Sequence, residues 1–451
     1  MNQIIEQPRF SCALAAQQTV HAIPRALPIA HAGPGCISKT FAYLGEEAGN
    51  QGEGYGGGGQ VACTNASEKE VVFGGEDKLR TLIKNAFKVL DADLFVVLAG
   101  CTSGIVGDDV VNVAREFRDQ GFPIVGVETS GFKGNNYYGH ELVVNAIIDQ
   151  FLPDEKVEVE KGLVNVFSVV PNQDPLWRGD LEEIKRLLTR IGLKVNILFG
   201  NGSKGIEEWK SIPKAEYNLV ISPWVGLSIA ENLKKKFGTP YLHYPELPVG
   251  AKATSAFLRE VGKTLELNKT VVEQVIKEEE DRFYSYFVTF ADFASDFRTN
   301  LPNEHYIVGD ATYTLGITNF LVNELGFTTK GIYIDDDPPT KQIQEKLVGY
   351  AEKIQEGTGS LVHIEADGGL IQKHIKENLN GSKRAVIFGS TWEGLIANEN
   401  NNLLVYISMP ITDDVIITRS FTGYNGGLRL LEEVYAGLFR KVKITRSTQT
   451  L

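Results

Sequence analysis

The fold class is clearest in residues 94–127, LFVVLAGCTSGIVGDDVVNVAREFRDQGFPIVGV. The first seven residues and the last four are short apolar runs rich in β-branched side chains, which predict buried strands. Between them, residues 107–121 space their apolar side chains as an amphipathic helix does, and the segment ends in glycine. A strand, a helix and a second strand in this order predict two parallel strands joined by a covering helix.

The same alternation runs through most of the chain. Further strands are predicted at 163–170, 195–200, 219–222, 305–310, 331–335, 385–389 and 403–408. Further helices are predicted at 76–90, 180–192, 228–238 and 312–326, and a long helix at 268–297. Because polar breaks interrupt the pattern near 153–162 and 298–304, we expect an α/β protein of three Rossmann-like, doubly wound parallel-sheet domains. The predicted boundaries are 1–160, 161–300 and 301–451, with the long helix joining the second domain to the third.

The composition excludes several classes of protein. The 451 residues are 43% hydrophobic and 23% charged, with a net charge of −12, as in an ordinary globular chain. No run of Lys and Arg suggests a nucleic-acid surface. No stretch reaches the roughly 20 apolar residues of a membrane-spanning helix, and 1-MNQIIEQPRF-10 lacks the apolar core of a signal peptide. We therefore expect a cytoplasmic protein with neither a nucleic-acid nor a membrane partner.

All four cysteines, Cys12, Cys36, Cys63 and Cys101, lie in the first quarter of the chain, and a disulfide framework is not expected in a chain of this kind. Cys36 closes the turn 31-HAGPGC-36, and Cys101 follows a predicted strand and precedes a helix. Thiols at such positions lie where open α/β sheets bind ligands, and a helix N-terminus favours the thiolate.

The cysteine spacings match neither zinc nor ferredoxin motifs. The residues alone leave two interpretations. The thiols ligate an iron–sulfur cluster that a second subunit or a non-cysteine ligand completes, or they are buried structural cysteines.

The order of the motifs resembles the component 1 proteins of the nitrogenase superfamily. Cys12, the HAGPGC loop, 67-SEKEVVFGGEDKL-79 and 101-CTSGIVGDD-109 correspond to three cluster cysteines and a VFGG helix start of that family. Further along, 130-SGFKGNNYYGHELVVNAI-147 resembles the family's glycine-bearing loop, and 423-GYNGGLRLLEEV-434 resembles the start of its last long helix. The resemblance implies three Rossmann-like domains with an iron–sulfur cluster at the interface between two related subunits.

The resemblance also implies roles for individual residues. Cys12, Cys36 and Cys101 match the cysteines that ligate the [8Fe–7S] P-cluster, or a [4Fe–4S] cluster in some relatives. Ser130 falls near the position where β-type subunits present a serine to the cluster, so it is a further candidate for cofactor binding; the alternative is a loop serine that caps the following turn. Cys63 matches no ligand and is expected to be a buried structural residue. No residue of this chain is expected to act as a catalytic acid or base.

Two absences indicate the type of subunit. The family's catalytic α subunits hold the active-site cofactor by a cysteine in the second domain and a histidine in the third. This chain has no cysteine after Cys101, and His305, His363 and His374 do not lie in a matching motif. The resemblance therefore implies a β-like chain. Because HAGPGC is closer to the α-type loop than to the β-type HGSQGC, the exact subfamily stays open, and a non-nitrogen-fixing relative such as a methylthio-alkane reductase is a candidate.

The implied function is electron relay. A β-like chain of this family passes electrons from an ATP-dependent [4Fe–4S] reductase to an active-site metallocofactor in a related α-like partner, within a heterotetramer. The sequence has no GxxxxGK[ST] motif, so ATP binding is assigned to the reductase. Two alternatives remain open, a cofactor-assembly scaffold of the same superfamily and a homodimeric [4Fe–4S] reductase.

Three polar residues of the cysteine loops have their own predictions. His31 either forms a hydrogen bond near the cluster or stabilises its own loop. Asp108 and Asp109 are predicted to be helix caps and surface acids near a docking face rather than acid–base catalysts.

Overall fold

The computed structural model describes residues 6–42, 47–49, 61–154, 157–295, 301–379 and 385–448. Its strands form three parallel sheets of four, four and five strands, one after another along the chain. This arrangement confirms the predicted α/β class. The predicted domain boundaries stay predictions.

The first sheet has the order β2-β1-β3-β4. Its strands are β1 Ala26–His31, β2 Ala62–Cys63, β3 Leu94–Ala99 and β4 Ile124–Val127. The helices around it are α1 Ala16–His21, α2 Pro34–Ala42, α3 Glu68–Phe73, α4 Glu76–Val89, α5 Cys101–Val106, α6 Val110–Arg118 and α7 Asn136–Gln150. Every residue of β3 is buried, as expected for a central strand covered by helices on both faces.

The second sheet has the order β6-β5-β7-β8. Its strands are β5 Glu160–Phe167, β6 Lys194–Asn196, β7 Ala215–Ile221 and β8 Tyr241–Tyr244. Its helices are α8 Trp177–Arg190, α9 Ile206–Ser211, α10 Leu227–Phe237 and α11 Gly250–Thr264, and the long α12 Lys269–Ser295 follows them.

The third sheet has the order β11-β10-β9-β12-β13. Its strands are β9 Glu304–Gly309, β10 Thr328–Ile334, β11 Val362–Ile364, β12 Ala385–Gly389 and β13 Leu403–Tyr406. Its helices are α13 Ala311–Asn323, α14 Lys341–Ile354, α15 Gly368–Leu379 and α16 Gly394–Glu399, and α17 Gly423–Thr448 follows the last strand. Helix α17 returns to pack against α8, α11 and α12, so it fastens the third segment to the second.

Two strands differ from the sequence prediction. The predicted strand 195–200 stops at Asn196, because Leu198 has a φ of 66° and the Phe199 N–H turns back to the Ile197 carbonyl. Strand β1 was not predicted, and it contains Pro28, which cannot donate to a sheet. Pro28 is tolerated because β2 pairs only with the last part of β1, beyond the proline. Within the described residues, no helix is both long and apolar enough to cross a membrane.

Candidate cluster site

The first sheet brings the predicted ligands to one edge. In a parallel sheet the carboxyl ends of the strands meet at the same edge, where ligands bind. Cys36 lies in α2, just after β1, and Cys101 directly follows β3 as the first residue of α5. Ser130 and Gly131 follow β4 in the same way. The sheet therefore places the second and third cysteines beside the glycine-bearing loop.

Gly131 lies between Cys12 and Cys101. Its N–H donates to the Cys101 Sγ at 3.2 Å. A Cβ added at Gly131 would lie 3.0 Å from the Cys101 Sγ and 3.4 Å from the Cys12 Sγ. Cys12 is held there by a β-bridge to Asn135. Two cysteines that are far apart in sequence thus face each other across a residue that has no side chain.

Cys36 belongs to the same group of thiols. Although Cys36 is exposed to solvent, partial desolvation raises the pKa of its thiol, and the charges of Cys12, Cys101 and Cys63, in that order, raise it further. Only Lys39 acts in the opposite direction. The other three sulfurs therefore lie close enough for their charges to act on Cys36, a repulsion that a bound iron cation would relieve.

Exposure distinguishes Cys63 from the other three cysteines. Cys12, Cys36 and Cys101 are exposed and lie outside any disulfide of the described residues, although such cysteines are usually among the most buried of residues. Cys63 is half-buried at the end of β2, where its sulfur accepts the Asn65 N–H and lies 3.3 Å from the Ala32 carbonyl oxygen. Cys63 was predicted to be a buried structural residue; it is only half-buried, but its backbone contacts fit a structural role.

Ser130 lies beside the thiols but points away from them. Its hydroxyl is fully buried and donates to the Gly100 carbonyl at 3.3 Å. The Ser130 Oγ also packs against Gly104, where an added Cβ would lie only 2.1 Å from it. To reach a bound cluster, this side chain would have to turn out of its pocket beneath α5.

The donor set fits an iron–sulfur cluster better than a single metal ion. In the part of the chain that the structure describes, no group of three or more His, Cys, Asp or Glu side chains could hold one metal ion. In a cluster, by contrast, each thiolate ligates a different iron, so the sulfurs stand further apart. Two exposed thiols beside a glycine whose N–H already donates to sulfur, with the exposed Cys36 as the third donor, are suited to that geometry.

We expect Gly131→Ala to reduce cluster occupancy, because the added methyl group would press on the Cys12 and Cys101 side chains. The measurement is iron per chain in anaerobically purified protein. Gly349→Ala is the matched control, since nothing lies within 4 Å of its added Cβ. Equal iron content in both variants would contradict the expectation.

His31 fixes the loop that carries Cys36. This fully buried imidazole bonds to the Thr64 Oγ1 at 3.0 Å and to the Asp108 Oδ2 at 2.9 Å. Asp108 also accepts the Gly75 N–H at the start of α4. His31 therefore stabilises its own loop, the second of the two predicted roles. Asp109 caps α6 as predicted, whereas Asp108 is a buried partner of His31 and not a surface acid.

The segment that leads to Cys12 is held by the third domain, a contact that the sequence did not indicate. The Arg9 Nη2 lies 2.6 Å from the Glu393 Oε1, and both side chains are almost completely buried. The Arg9 guanidinium also lies 4.6 Å from the centre of the Trp392 ring. Asp367 accepts the backbone N–H groups of Glu6 and Gln7. The segment before Cys12 is therefore anchored to the third domain, and Cys12 itself is bridged to Asn135 in the first.

An exposed apolar patch lies next to the cysteines. We define this cysteine-side patch by Val71, Val72 and Phe73 of α3, Ile105 of α5, and Phe132. Phe73 is 82% exposed and Ile105 73% exposed. Helix α3 packs against α5, which begins at Cys101, and Phe132 lies over Gly104 of the same helix. Contiguous exposed apolar side chains of this kind mark interaction surfaces.

Comparison with known proteins identifies the family. The model of the family "Nitrogenase component 1 type Oxidoreductase" matches residues 11–439. The chain belongs to this family. It is thus a subunit of a nitrogenase-like oxidoreductase, and members of this family bind iron–sulfur clusters.

Three relatives of this component 1 chain show how far the similarity extends. One subunit of the light-independent protochlorophyllide reductase of Angiopteris evecta is 26% identical, over 80% of this chain and 70% of its own length. The nitrogenase iron-iron protein beta chain of Rhodobacter capsulatus is 22% identical, over 98% and 95%. The solved structure "Nitrogenase Cp1 at pH 6.5" has a TM-score of 0.80 at 21% identity, covering 98% of this chain and 95% of that one. The last comparison confirms the fold.

The component 1 chain also buries several carboxyl groups at the carboxyl edge of its third sheet. Asp310 follows β9, and Asp335 and Asp336 follow β10. The Asp336 Oδ2 accepts from the Trp224 Nε1 and the Ala311 N–H, whereas its Oδ1 has no partner among the described residues. Burial raises the pKa of Asp336 to about 7, and the nearby Asp310 charge contributes. Burial likewise raises the pKa of Asp310, to about 6.

We expect Asp336→Asn to stabilise the protein at high pH. Because the folded-state pKa lies above the ordinary value, the stability that wild-type Asp336 contributes is complete below about pH 4 and lost as the pH rises through 7. Asparagine can still accept both hydrogen bonds without acquiring a charge. Each unit of pKa shift corresponds to about 1.4 kcal/mol, so the free energy of unfolding of the variant should exceed that of the wild type by a few kcal/mol at pH 8.

The measurement is the thermal midpoint of both proteins at pH 5 and pH 8. The control is Asp292→Asn, which makes the same change of charge at an exposed position on α12. The difference between its thermal midpoints at pH 5 and pH 8 should equal that of the wild type. A variant midpoint that follows the wild type at both pH values would contradict the argument.

Proposed function

We propose that this chain is the β-like subunit of a nitrogenase-like reductase complex, in which Cys12, Cys36 and Cys101 hold a P-cluster-type iron–sulfur cluster at a subunit interface. When bound, such a cluster supplies one-electron transfer between an ATP-dependent reductase and a metallocofactor in the α-like partner. The observation that carries the proposal is that the exposed Cys12 and Cys101 thiols meet at Gly131, within electrostatic reach of the exposed Cys36. Ser130 is proposed as an additional ligand that requires a change of rotamer.

The exposure of the thiols supports an interfacial position. A cluster with only three ligands from one chain needs a further ligand, and the open side of this site is where a second subunit can supply it. The relatives from Angiopteris evecta and Rhodobacter capsulatus are each named as one subunit of a larger protein. Each of these names implies partner subunits for that protein, which supports a hetero-oligomer here.

The second and third domains favour the β-like role. No cysteine follows Cys101, so neither domain can offer a thiolate to an active-site cofactor. His305 lies on β9 and is completely buried, and burial lowers its pKa to about 3. Its ring packs against the Phe327 and Phe388 rings and not against an open cavity. We therefore place the metallocofactor in the partner.

The cysteine-side patch is proposed as the surface on which the reductase docks. We expect Phe73→Glu to lower the reductase-dependent activity of the assembled complex, because a charge would be placed in a contact that must lose water. The iron content should not change, since Phe73 is exposed and touches no ligand. Val159→Glu, at an exposed valine just before β5, is the control. If Phe73→Glu and Val159→Glu had equal activity at limiting reductase, Phe73 would not belong to the docking surface.

Metal analysis of the intact complex tests the proposed function. The complex is purified anaerobically, and iron and acid-labile sulfide per chain are measured, with electron paramagnetic resonance before and after oxidation. About eight irons at the interface per pair of different subunits would support a P-cluster relay. About four irons in a complex of this chain alone would favour the homodimeric reductase instead. Absence of iron from intact protein would overturn the assignment of the cysteines, and lack of ATP-dependent turnover in an iron-loaded complex would favour a scaffold.

A further inference from the structure

A pair of histidines on the third domain has no part in the proposed electron relay. His363 lies on β11, the edge strand of the third sheet, directly opposite Tyr333 of β10. The two rings are stacked, with centroids 5.1 Å apart and planes at 17°. Helix α15 covers this face and brings in His374, whose ring centroid lies 4.5 Å from that of His363. Two imidazoles from different elements thus meet at the wall of a cavity of about 550 Å³.

We propose that His363 and His374 form a binding site for a divalent transition-metal ion, of which Zn²⁺ is the simplest example. Imidazole nitrogen is the ligand that suits zinc, copper and nickel. The remaining coordination positions would be filled by water, because no third His, Cys, Asp or Glu within the described residues stands close enough to make a complete site. The proposed site therefore keeps coordination positions that are open to water.

Tyr333 positions one of the two ligands. Its hydroxyl lies 2.8 Å from the His374 Nδ1. If the phenol oxygen accepts the Nδ1 proton, the His374 Nε2 carries the free lone pair. A hydrogen-bond partner on the other ring nitrogen is the usual support of a metal-binding histidine, because it fixes the tautomer and the ring orientation.

The electrostatics of the cavity favour a cation. Glu365 and Glu377 line it together with Lys373, so two carboxylates face one ammonium group. Glu377 lies three residues after His374 on α15, a spacing that places both side chains on the same face of the helix.

The test is a Zn²⁺ titration of the anaerobic, cluster-loaded protein by calorimetry, comparing wild type with His363→Gln and His374→Gln. Cluster loading matters because the exposed cysteines would otherwise also take zinc. We expect the wild type to bind one Zn²⁺ that each variant binds at least about tenfold more weakly, and Tyr333→Phe to weaken it by about 10- to 100-fold. A Co²⁺ spectrum of the same site should show no thiolate charge-transfer band.

His243→Gln is the matched control, since this histidine lies on β8 and bonds to the Ser222 carbonyl. It should bind Zn²⁺ as the wild type does. Circular dichroism of each variant verifies folding. Equal zinc stoichiometry and affinity in the wild type and both histidine variants would overturn the proposal and leave Tyr333, His363 and His374 as an aromatic packing cluster.

Discussion

Cys101→Ala should strip the protein of most of its iron and reduce reductase-dependent activity to background. Cys101 begins α5, and its sulfur already accepts the Gly131 N–H. Alanine removes this ligand while leaving the helix start intact, because alanine is the residue best suited to a helix. The loss should therefore appear in iron and acid-labile sulfide per chain, with an unchanged far-ultraviolet circular dichroism spectrum.

Cys63→Ala provides the matched control for this experiment. The Cys63 sulfur is close enough for its charge to act on Cys36, but this sulfur already forms hydrogen bonds with the Ala32 carbonyl and the Asn65 N–H. We expect this variant to keep its iron and its paramagnetic resonance spectrum. If Cys63→Ala lost iron as Cys101→Ala does, Cys63 would have to be counted among the ligands. If Cys101→Ala kept full iron, the proposed ligand set would be wrong.

Arg9→Ala should destabilise the protein more than any surface substitution. The substitution leaves the Glu393 carboxylate buried without its cation, although this carboxylate still accepts hydrogen bonds from the Ser390 N–H and hydroxyl. Removing one partner of a buried ion pair typically costs about 3–5 kcal/mol. Because Arg9 holds the segment that leads to Cys12, cluster occupancy should fall as well.

Arg25→Ala is the control for this substitution. Arg25 pairs with Asp91 and Asp93, but its side chain is half exposed and the pairs are solvated, so the thermal midpoint should change little. The measurement is the thermal midpoint and the iron per chain of both variants under the same conditions. Equal midpoints would show that the contact between Arg9 and Glu393 does not hold the N-terminal segment to the third domain.

Local sequence patterns sufficed to predict much of the fold. Strands such as Leu94–Ala99 and Ala385–Gly389 are short β-branched runs bounded by glycine, and their burial on both faces explains why the runs are continuous. The pattern failed at β1 and at residues 197–199. At β1, pairing with β3 supports a strand that contains a proline. At residues 197–199, buried apolar residues form a turn although the sequence pattern predicted a strand.

The sequence by itself determined the α/β class, the family and the three candidate thiols, because these depend on residue type, periodicity and motif order. Only the tertiary structure decided the direction of the Ser130 hydroxyl, the pairing of Asp108 with His31 and the approach of Cys12 to Cys101 across Gly131. The same holds for the contact between Arg9 and Glu393, which are 384 residues apart. Such contacts join residues that share no local pattern, and they form only when separate strands and helices pack together, so no stretch of sequence read alone contains them.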